Sequence, residues 1–140
     1  MFEKILVAVD GSEHSLHAAK EAADLARAMK SRALRVVIAF DAIPSYLGEP
    51  NRQRAIDGRM KEAETILQKA RDVIGKIPGE IHTELIEGSP AEAIIEVART
   101  RGSTIIVMGS RGLSTIAELV LGSTSHKVVS HAPCPVLIVR

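Results

Sequence analysis

The chain has 140 residues, of which 46% are hydrophobic and 25% are charged, as in ordinary globular proteins. This length suits one domain with a core of its own. The formal net charge is only +1, and aromatic residues make up 2% with no Trp, which argues against nucleic acid and anionic membranes as partners. No apolar run approaches the roughly 20 residues that a membrane-spanning helix needs.

The cysteine content points to a reducing compartment. Cys134 is the only cysteine, so an intrachain disulfide is excluded. The first residues, Met1 to Lys4, lead directly into an apolar run and do not resemble a signal peptide, so we expect a cytoplasmic protein. Cys134 stands between two prolines, where a small packing residue is more typical than a reactive thiol.

The first predicted strand, Lys4 to Val9, is almost continuously apolar, as in a parallel strand that is covered on both faces. Ser12 is a suitable N-cap for a helix that runs to about Lys30. Asp10, between strand and helix, has two interpretations. It either closes a turn on its own backbone or contacts a ligand at the carboxyl end of the strand.

The second predicted strand, Leu34 to Phe40, leads into an irregular segment from Asp41 to Asn51, which is long enough to be a binding loop. Tyr46 in this segment could cover a bound base, although a local packing role is favoured. The next helix, about Arg52 to Ile74, carries Met60 on its apolar face, and we expect that side chain to lie in the core.

A half-exposed strand near a sheet edge is predicted from Ile81 to Ile86, with His82 solvated. The following helix has a complete start signal. Ser89 is the predicted N-cap, Pro90 takes the first helical position, and Glu92 closes a capping box.

Glycines then cluster around the fourth predicted strand, Thr104 to Met108. Gly109 and Gly112 follow it, and Gly122 precedes three hydroxyl residues at the start of a helix that runs from Ser123 to about Ser130. Glycine leaves backbone N–H groups accessible to a ligand because it has no Cβ atom. Such groups, together with a helix N-terminus, favour the binding of phosphate. The alternative is that these glycines only end a strand and cap a helix. The intervening segment has room for one or two helical turns, with Glu118 on the outer face.

Strands and helices alternate along the whole chain, which predicts an α/β fold with a five-stranded parallel sheet and helices on both faces. If the residues after the first and fourth strands serve one ligand, those strands are neighbours, and the strand order is 3-2-1-4-5. The last strand is then an uncovered apolar edge, so we expect a homodimer through it. Its residues are Val136, Leu137, Ile138 and Val139.

The sequence resembles the ATP-binding branch of the universal stress protein family over its whole length. Three segments carry the resemblance: Ile5 to Ser12, the Gly-x2-Gly-x9-Gly-Ser pattern that begins at Gly109, and Ala132 to Val139. The resemblance implies a dimer and a site for ATP, ADP or AMP with Mg²⁺, with Asp10 near the ribose and the metal carried by the phosphates. The implied nucleotide contacts are Ala8, Asp10, Ala39, Met108, Gly109, Arg111, Gly112, Gly122, Ser123, Thr124 and Ser125.

The sequence favours a nucleotide-binding stress-response or signalling module over an efficient enzyme. It lacks the Gly-x4-Gly-Lys-[Ser/Thr] loop, so hydrolysis should be slow or absent. Arg111 could neutralise phosphate charge, and His126 is a weak candidate for a general base. A slow Mg²⁺-dependent ATPase is the alternative, while the scarcity of aromatic residues argues against a flavin domain. A bulky residue at Gly109 or Gly122 is expected to abolish nucleotide retention and to leave the fold largely intact.

Overall fold

The computed structural model describes residues 1–110 and 121–140. Nine regular elements alternate along these residues, together with a short 3₁₀ turn at Ser45–Leu47. In chain order they are β1 (Lys4–Ala8), α1 (Glu13–Met29), β2 (Ala33–Phe40), α2 (Asn51–Ile74), β3 (Glu80–Glu87), α3 (Pro90–Arg101), β4 (Ile105–Gly109), α4 (Ser123–His131) and β5 (Val136–Val139).

The five strands form one parallel sheet in the order β3-β2-β1-β4-β5, as the sequence predicts. β1 lies in the centre, paired with β2 on one side and with β4 on the other. The chain therefore runs from β1 through β2 to β3 at one edge of the sheet. It then crosses to the other side of β1, where it forms β4 and β5. Ligands of open α/β sheets bind where such a reversal occurs, which here is at the carboxyl ends of β1 and β4.

Two apolar layers cover the sheet. On one face α1 and α2 pack over the cluster that contains Ile5 and Val7, and on the other α3 and α4 pack over the cluster that contains Leu6 and Ile106. Neighbouring residues of a strand point to opposite faces, so β1 feeds both clusters, and its central residues are 0 to 1% exposed. The close approach of α1 depends on five buried alanines, which are Ala18, Ala19, Ala22, Ala23 and Ala26.

The capping box predicted at α3 is wrong. Ser89 is the N-cap, and its carbonyl accepts from the Ala93 N–H at 2.9 Å, but its hydroxyl makes no capping hydrogen bond. Glu92 instead forms an ion pair with Lys127 of α4 at 2.9 Å. The carboxylate therefore joins two helices on the same face of the sheet.

Two surface predictions also differ from the structure. Met60 is 40% exposed and Tyr46 is 85% exposed, so neither packs as expected. The buried residues of α2 begin only at Ala63, because a helix of 24 residues, about 36 Å long, extends past the strands beneath it. His82 is solvated as predicted, since its side chain is 40% exposed, and its Nε2 lies 3.0 Å from an oxygen of Glu80.

Candidate functional site

Five of the predicted nucleotide contacts lie at the carboxyl ends of three adjacent strands. β1 ends at Ala8 and is followed by Asp10, β2 carries Ala39, and β4 ends at Met108 and Gly109. Strand register places Ala8 beside Val37 and Leu6 beside Ile106. Because side chains alternate between the faces, Ala8, Ala39 and Met108 all lie on the face that α3 and α4 cover. The structure thus brings together residues that are up to a hundred positions apart in the sequence.

Asp10 forms the turn that connects β1 to α1. Its Oδ1 accepts a hydrogen bond from the Ser12 N–H at 2.9 Å, while its own N–H donates to the Ser15 hydroxyl at 3.2 Å. The Ser12 hydroxyl in turn accepts from the Ser15 N–H at 3.2 Å and caps α1 as expected. The turn interpretation of Asp10 is therefore confirmed. Among the described residues nothing engages its second carboxylate oxygen, so the ligand interpretation is compatible with the same geometry.

Gly109 is required for packing as well as for any ligand. It is the last residue of β4, and a Cβ atom built on it would lie 2.8 Å from the His14 Cβ and 2.9 Å from the His14 carbonyl carbon. Such distances do not occur between real side chains, so even alanine would displace the first turn of α1. The expectation that a bulky residue at Gly109 leaves the fold largely intact is therefore wrong.

The start of α4 is an uncapped helix N-terminus. Gly122 is the N-cap, with φ −60° and ψ 157°, and offers no side chain to the first turn. Its carbonyl accepts from the His126 N–H at 2.9 Å, which leaves the N–H groups of Ser123, Thr124 and Ser125 ahead of the first helical hydrogen bond. Within the described part of the chain, no group accepts from these three donors.

Two hydrogen bonds attach this helix start to the end of β4. The Ser125 hydroxyl, 3% exposed, donates to the Gly109 carbonyl at 2.8 Å, and the Gly122 N–H donates to the Ser110 carbonyl at 2.9 Å. The three N–H donors are thereby held beside the carboxyl end of the sheet. Since the hydroxyl hydrogen of Ser125 is already donated, its backbone N–H is the donor left for a ligand.

Among the described residues, few charged groups lie near the start of α4. Lys127 contacts Glu92 of α3, and His126 is exposed. Among residues 1–110 and 121–140, no group of three His, Cys, Asp or Glu side chains is arranged to hold a metal ion. Arg111 and Gly112 lie outside the described residues, as does Glu118.

Cys134 packs against the core on the α3 and α4 face of the sheet. Burial raises the pKa of its thiol, since the thiolate is poorly solvated there. The prediction of a packing role is confirmed.

Sequence reasoning missed His14. This residue lies in the first turn of α1, against Gly109, and its Nδ1 is buried. Its ring meets that of His17 edge to face with centroids 6.5 Å apart, and His17 Nδ1 lies 3.3 Å from the carbonyl oxygen of Arg140. The sequence did contain a signal for this position. His14 comes two residues after the predicted N-cap Ser12, and the first turn of a helix that follows β1 begins at the carboxyl edge of the sheet.

Comparison with known proteins gives a consistent result. The model of the universal stress protein family matches residues 1–140. A universal stress protein of Thermus aquaticus is 46% identical over 140 residues, which is the full length of both chains. The structure of universal stress protein UspA from Lactobacillus plantarum superposes with a TM-score of 0.86 at 26% identity, covering 99% of this chain and 98% of that one.

Two further solved structures contain nucleotides and share the fold. One is a universal stress protein in complex with cAMP, with a TM-score of 0.72 at 24% identity, covering 99% of this chain and 96% of that one. The other is the universal stress protein from Archaeoglobus fulgidus in complex with dAMP, with a TM-score of 0.71 at 23% identity and full coverage of both chains.

Within the residues that the structure describes, no helix is both long enough and apolar enough to cross a membrane.

The fold and the match of a family model to all 140 residues agree. The chain belongs to the universal stress protein family.

Proposed function

We propose that this protein binds an adenine nucleotide at the carboxyl edge of its sheet, with the phosphates on the first turn of α4. The observation that carries the proposal is the uncapped N-terminus formed by Ser123, Thr124 and Ser125. Three converging N–H donors and the positive end of a helix dipole favour a polyanion. The hydrogen bonds to Gly109 and Ser110 fix these donors before a ligand arrives.

The base would lie over small side chains at the ends of β1 and β2. Ala8 and Ala39 are both half-buried and share a face of the sheet, and Met108 follows on β4. Small side chains on adjacent strands leave room for a flat ring, which then contacts backbone amides and the thioether. Asp10 would accept from the ribose hydroxyls through its second oxygen. In this proposal Arg111, Gly112 and Gly122 complete the phosphate loop.

Adenine is the first base to test because two proteins of this fold hold cAMP and dAMP. At 24 and 23% identity those proteins share the fold with this chain, so the argument for a nucleotide rests on the residues named above. We propose ATP as the ligand, with ADP and AMP as its shorter forms. N–H donors at a helix start bind phosphate whether the nucleotide carries one, two or three phosphate groups. Mg²⁺ would arrive with the phosphates and reach Asp10.

We propose that the bound nucleotide is a signal in a cytoplasmic stress response and is hydrolysed slowly or not at all. Rapid phosphoryl transfer needs a cation at the transferred group and an oriented water. Lys127, the lysine of α4, is paired with Glu92 at 2.9 Å. The second candidate, a slow Mg²⁺-dependent ATPase, depends on Arg111 as that cation.

The test exploits the N-cap position. Gly122 has a φ of −60°, which any residue adopts, so its backbone is compatible with aspartate. An aspartate cap stabilises a helix relative to glycine by a few tenths of a kcal/mol, but it places a carboxylate where the phosphates should bind. We therefore expect Gly122→Asp to weaken ATP binding about tenfold or more, measured by titration calorimetry, while the melting temperature holds or rises.

Gly122→Asn is the matched control, because asparagine caps as well as aspartate and carries no charge. Retained affinity in Gly122→Asn with lost affinity in Gly122→Asp would locate the phosphates at α4. Equal affinity in both variants and in the unmodified protein would place the nucleotide elsewhere.

A further inference from the structure

A groove opens at the opposite edge of the sheet, where β1, β2 and β3 begin and where α1 and α3 end. Its lining includes one carboxylate residue, Glu80, and the small residues Ser31, Gly79 and Ser103. We refer to it as the basic groove because its lining also includes five cationic side chains, Lys4, Lys30, Arg32, Arg35 and Arg101.

Two of these cations share a single carboxylate. Arg35 Nη1 lies 3.0 Å from Glu84 Oε1, and Arg101 places both Nε and Nη2 2.7 Å from the same oxygen. Within the described residues, no other carboxylate contacts either guanidinium. The Arg35 and Glu84 side chains are only 19% and 15% exposed. The Arg101 side chain is 53% exposed. The two guanidinium groups therefore carry one positive charge more than Glu84 neutralises, at a position that a dissolved anion can reach.

The remaining charges of the basic groove do not cancel this excess. Arg32 pairs with Glu3 at 3.2 Å, and Glu80 pairs with His82 at 3.0 Å. Lys4 and Lys30 have no ion-pair partner among residues 1–110 and 121–140. Five cations therefore face three carboxylates, an excess of two positive charges with His82 neutral.

Neutralisation of helix ends explains only part of this arrangement. Cations are favoured at helix C-termini, which accounts for Lys30 after α1 and for Arg101 in the last turn of α3. Arg35 belongs to β2, and its guanidinium lies on the same carboxylate oxygen as that of Arg101, beside the end of α3. The last turn of α3 already carries Arg99 and Arg101, so its dipole does not require this further guanidinium.

We propose that the basic groove is a second binding site, for a small soluble anion that carries two linked phosphate groups. Guanidinium groups match phosphate oxygens in geometry, and Lys4 and Lys30 add charges without a fixed direction. The five residues of β1 separate this groove from the nucleotide cradle by about 15 Å. The two sites therefore do not overlap, and each can be titrated with its own set of amides.

Inorganic pyrophosphate is the probe, followed by amide chemical shifts in ¹⁵N-labelled protein. We expect saturable shifts at Ser31, Arg32, Gly79 and Ser103, with half-saturation at about 1 mM or below. Raising the salt concentration should weaken binding, since the groove is open to solvent. Shifts confined to the N-terminus of α4, or no saturation at these four amides by about 10 mM, would overturn the proposal.

The matched variants are Arg101→Gln and Arg99→Gln, two residues apart on α3. Arg99 pairs with Glu96 at 3.0 Å, with both side chains more than 60% exposed, and does not line the groove. Arg101→Gln leaves one guanidinium for one carboxylate and should weaken pyrophosphate binding about tenfold, whereas Arg99→Gln should not change it. Equal effects of the two variants would show that only overall charge matters and would contradict the proposal.

A double variant, Lys4→Gln with Lys30→Gln, repeats the test should Arg101→Gln disturb the fold. Both lysines lie at the surface outside the Glu84 contacts, so their replacement spares the paired guanidiniums. A comparable loss of pyrophosphate affinity supports the site, and unchanged affinity overturns it. Binding of ATP at α4 is measured separately by the shifts of Ser123 to Ser125, so the failure of either site is visible without the other.

Discussion

At the scale of single residues, the nucleotide cradle depends on side chains that serve the fold. The Ser125 hydroxyl and the Gly109 carbonyl join α4 to β4 inside the protein, 2.8 Å apart. Gly109 also lets His14 of α1 pack closely against β4, because it has no side chain. The family resemblance predicts both residues as ligand contacts. Their packing roles could not be seen in the sequence, because they depend on which helix crosses above the strand.

Replacement of Ser125 by alanine should destabilise the protein. The Gly109 carbonyl would lose its buried donor, which costs about 1 to 3 kcal/mol in the free energy of unfolding. Ser130→Ala on the same helix is the control, because the Ser130 hydroxyl donates to the His126 carbonyl at the surface. Urea denaturation should show a change below about 0.5 kcal/mol for the control. Equal stability of the two variants would mean that the buried hydrogen bond does not anchor α4.

The Cys134 thiol should react slowly in the folded protein. Burial raises its pKa, so at pH 8 less thiolate is present than in the unfolded chain. The stabilisation linked to the protonated thiol is complete below the unfolded-state pKa and is lost as pH rises through the folded-state pKa. Iodoacetamide should therefore alkylate native protein more slowly than urea-unfolded protein at pH 8. Equal rates would contradict the buried environment.

At the scale of elements, alternation of apolar runs and helix signals was sufficient to predict the five strands and their order. Continuous apolar runs identify strands that are covered on both faces, and the assumption of one shared ligand fixes β1 beside β4. Side-chain positions at element ends were less predictable. Glu92 reaches Lys127 across two helices instead of closing its own turn, and Met60 lies on the exposed part of a long helix. Both outcomes depend on neighbours that are distant in sequence.

The edge strand β5 carries the proposed dimer. Leu137 is 40% exposed on a strand that pairs with β4 alone within the described sheet. Leu137→Lys should convert the dimer to a monomer in sedimentation velocity at micromolar concentration, because charge on an edge strand opposes pairing. Val73→Lys on α2, where Val73 is 39% exposed, is the control and should leave the dimer intact. A monomer in the unmodified protein would refute the interface.

At the scale of the whole molecule, the sheet separates two chemically different edges. The carboxyl edge presents backbone N–H donors with few fixed charges, whereas the amino edge presents the basic groove. The first was foreseen because glycine and hydroxyl residues form a local motif. The second was not, because Lys4, Arg35 and Arg101 come from three distant segments and join only through strand register and the end of α3.

The central claim is that the backbone N–H groups at the start of α4 bind the phosphates of an adenine nucleotide. Titration of ¹⁵N-labelled protein with ATP, up to a few equivalents, tests it most directly. We expect the amides of Ser123, Thr124 and Ser125 to shift and saturate at a lower ATP concentration than any shift of Ser31 and Ser103 at the opposite edge. Saturable ATP binding that leaves the three α4 amides unshifted, or no binding of ATP, would contradict the account.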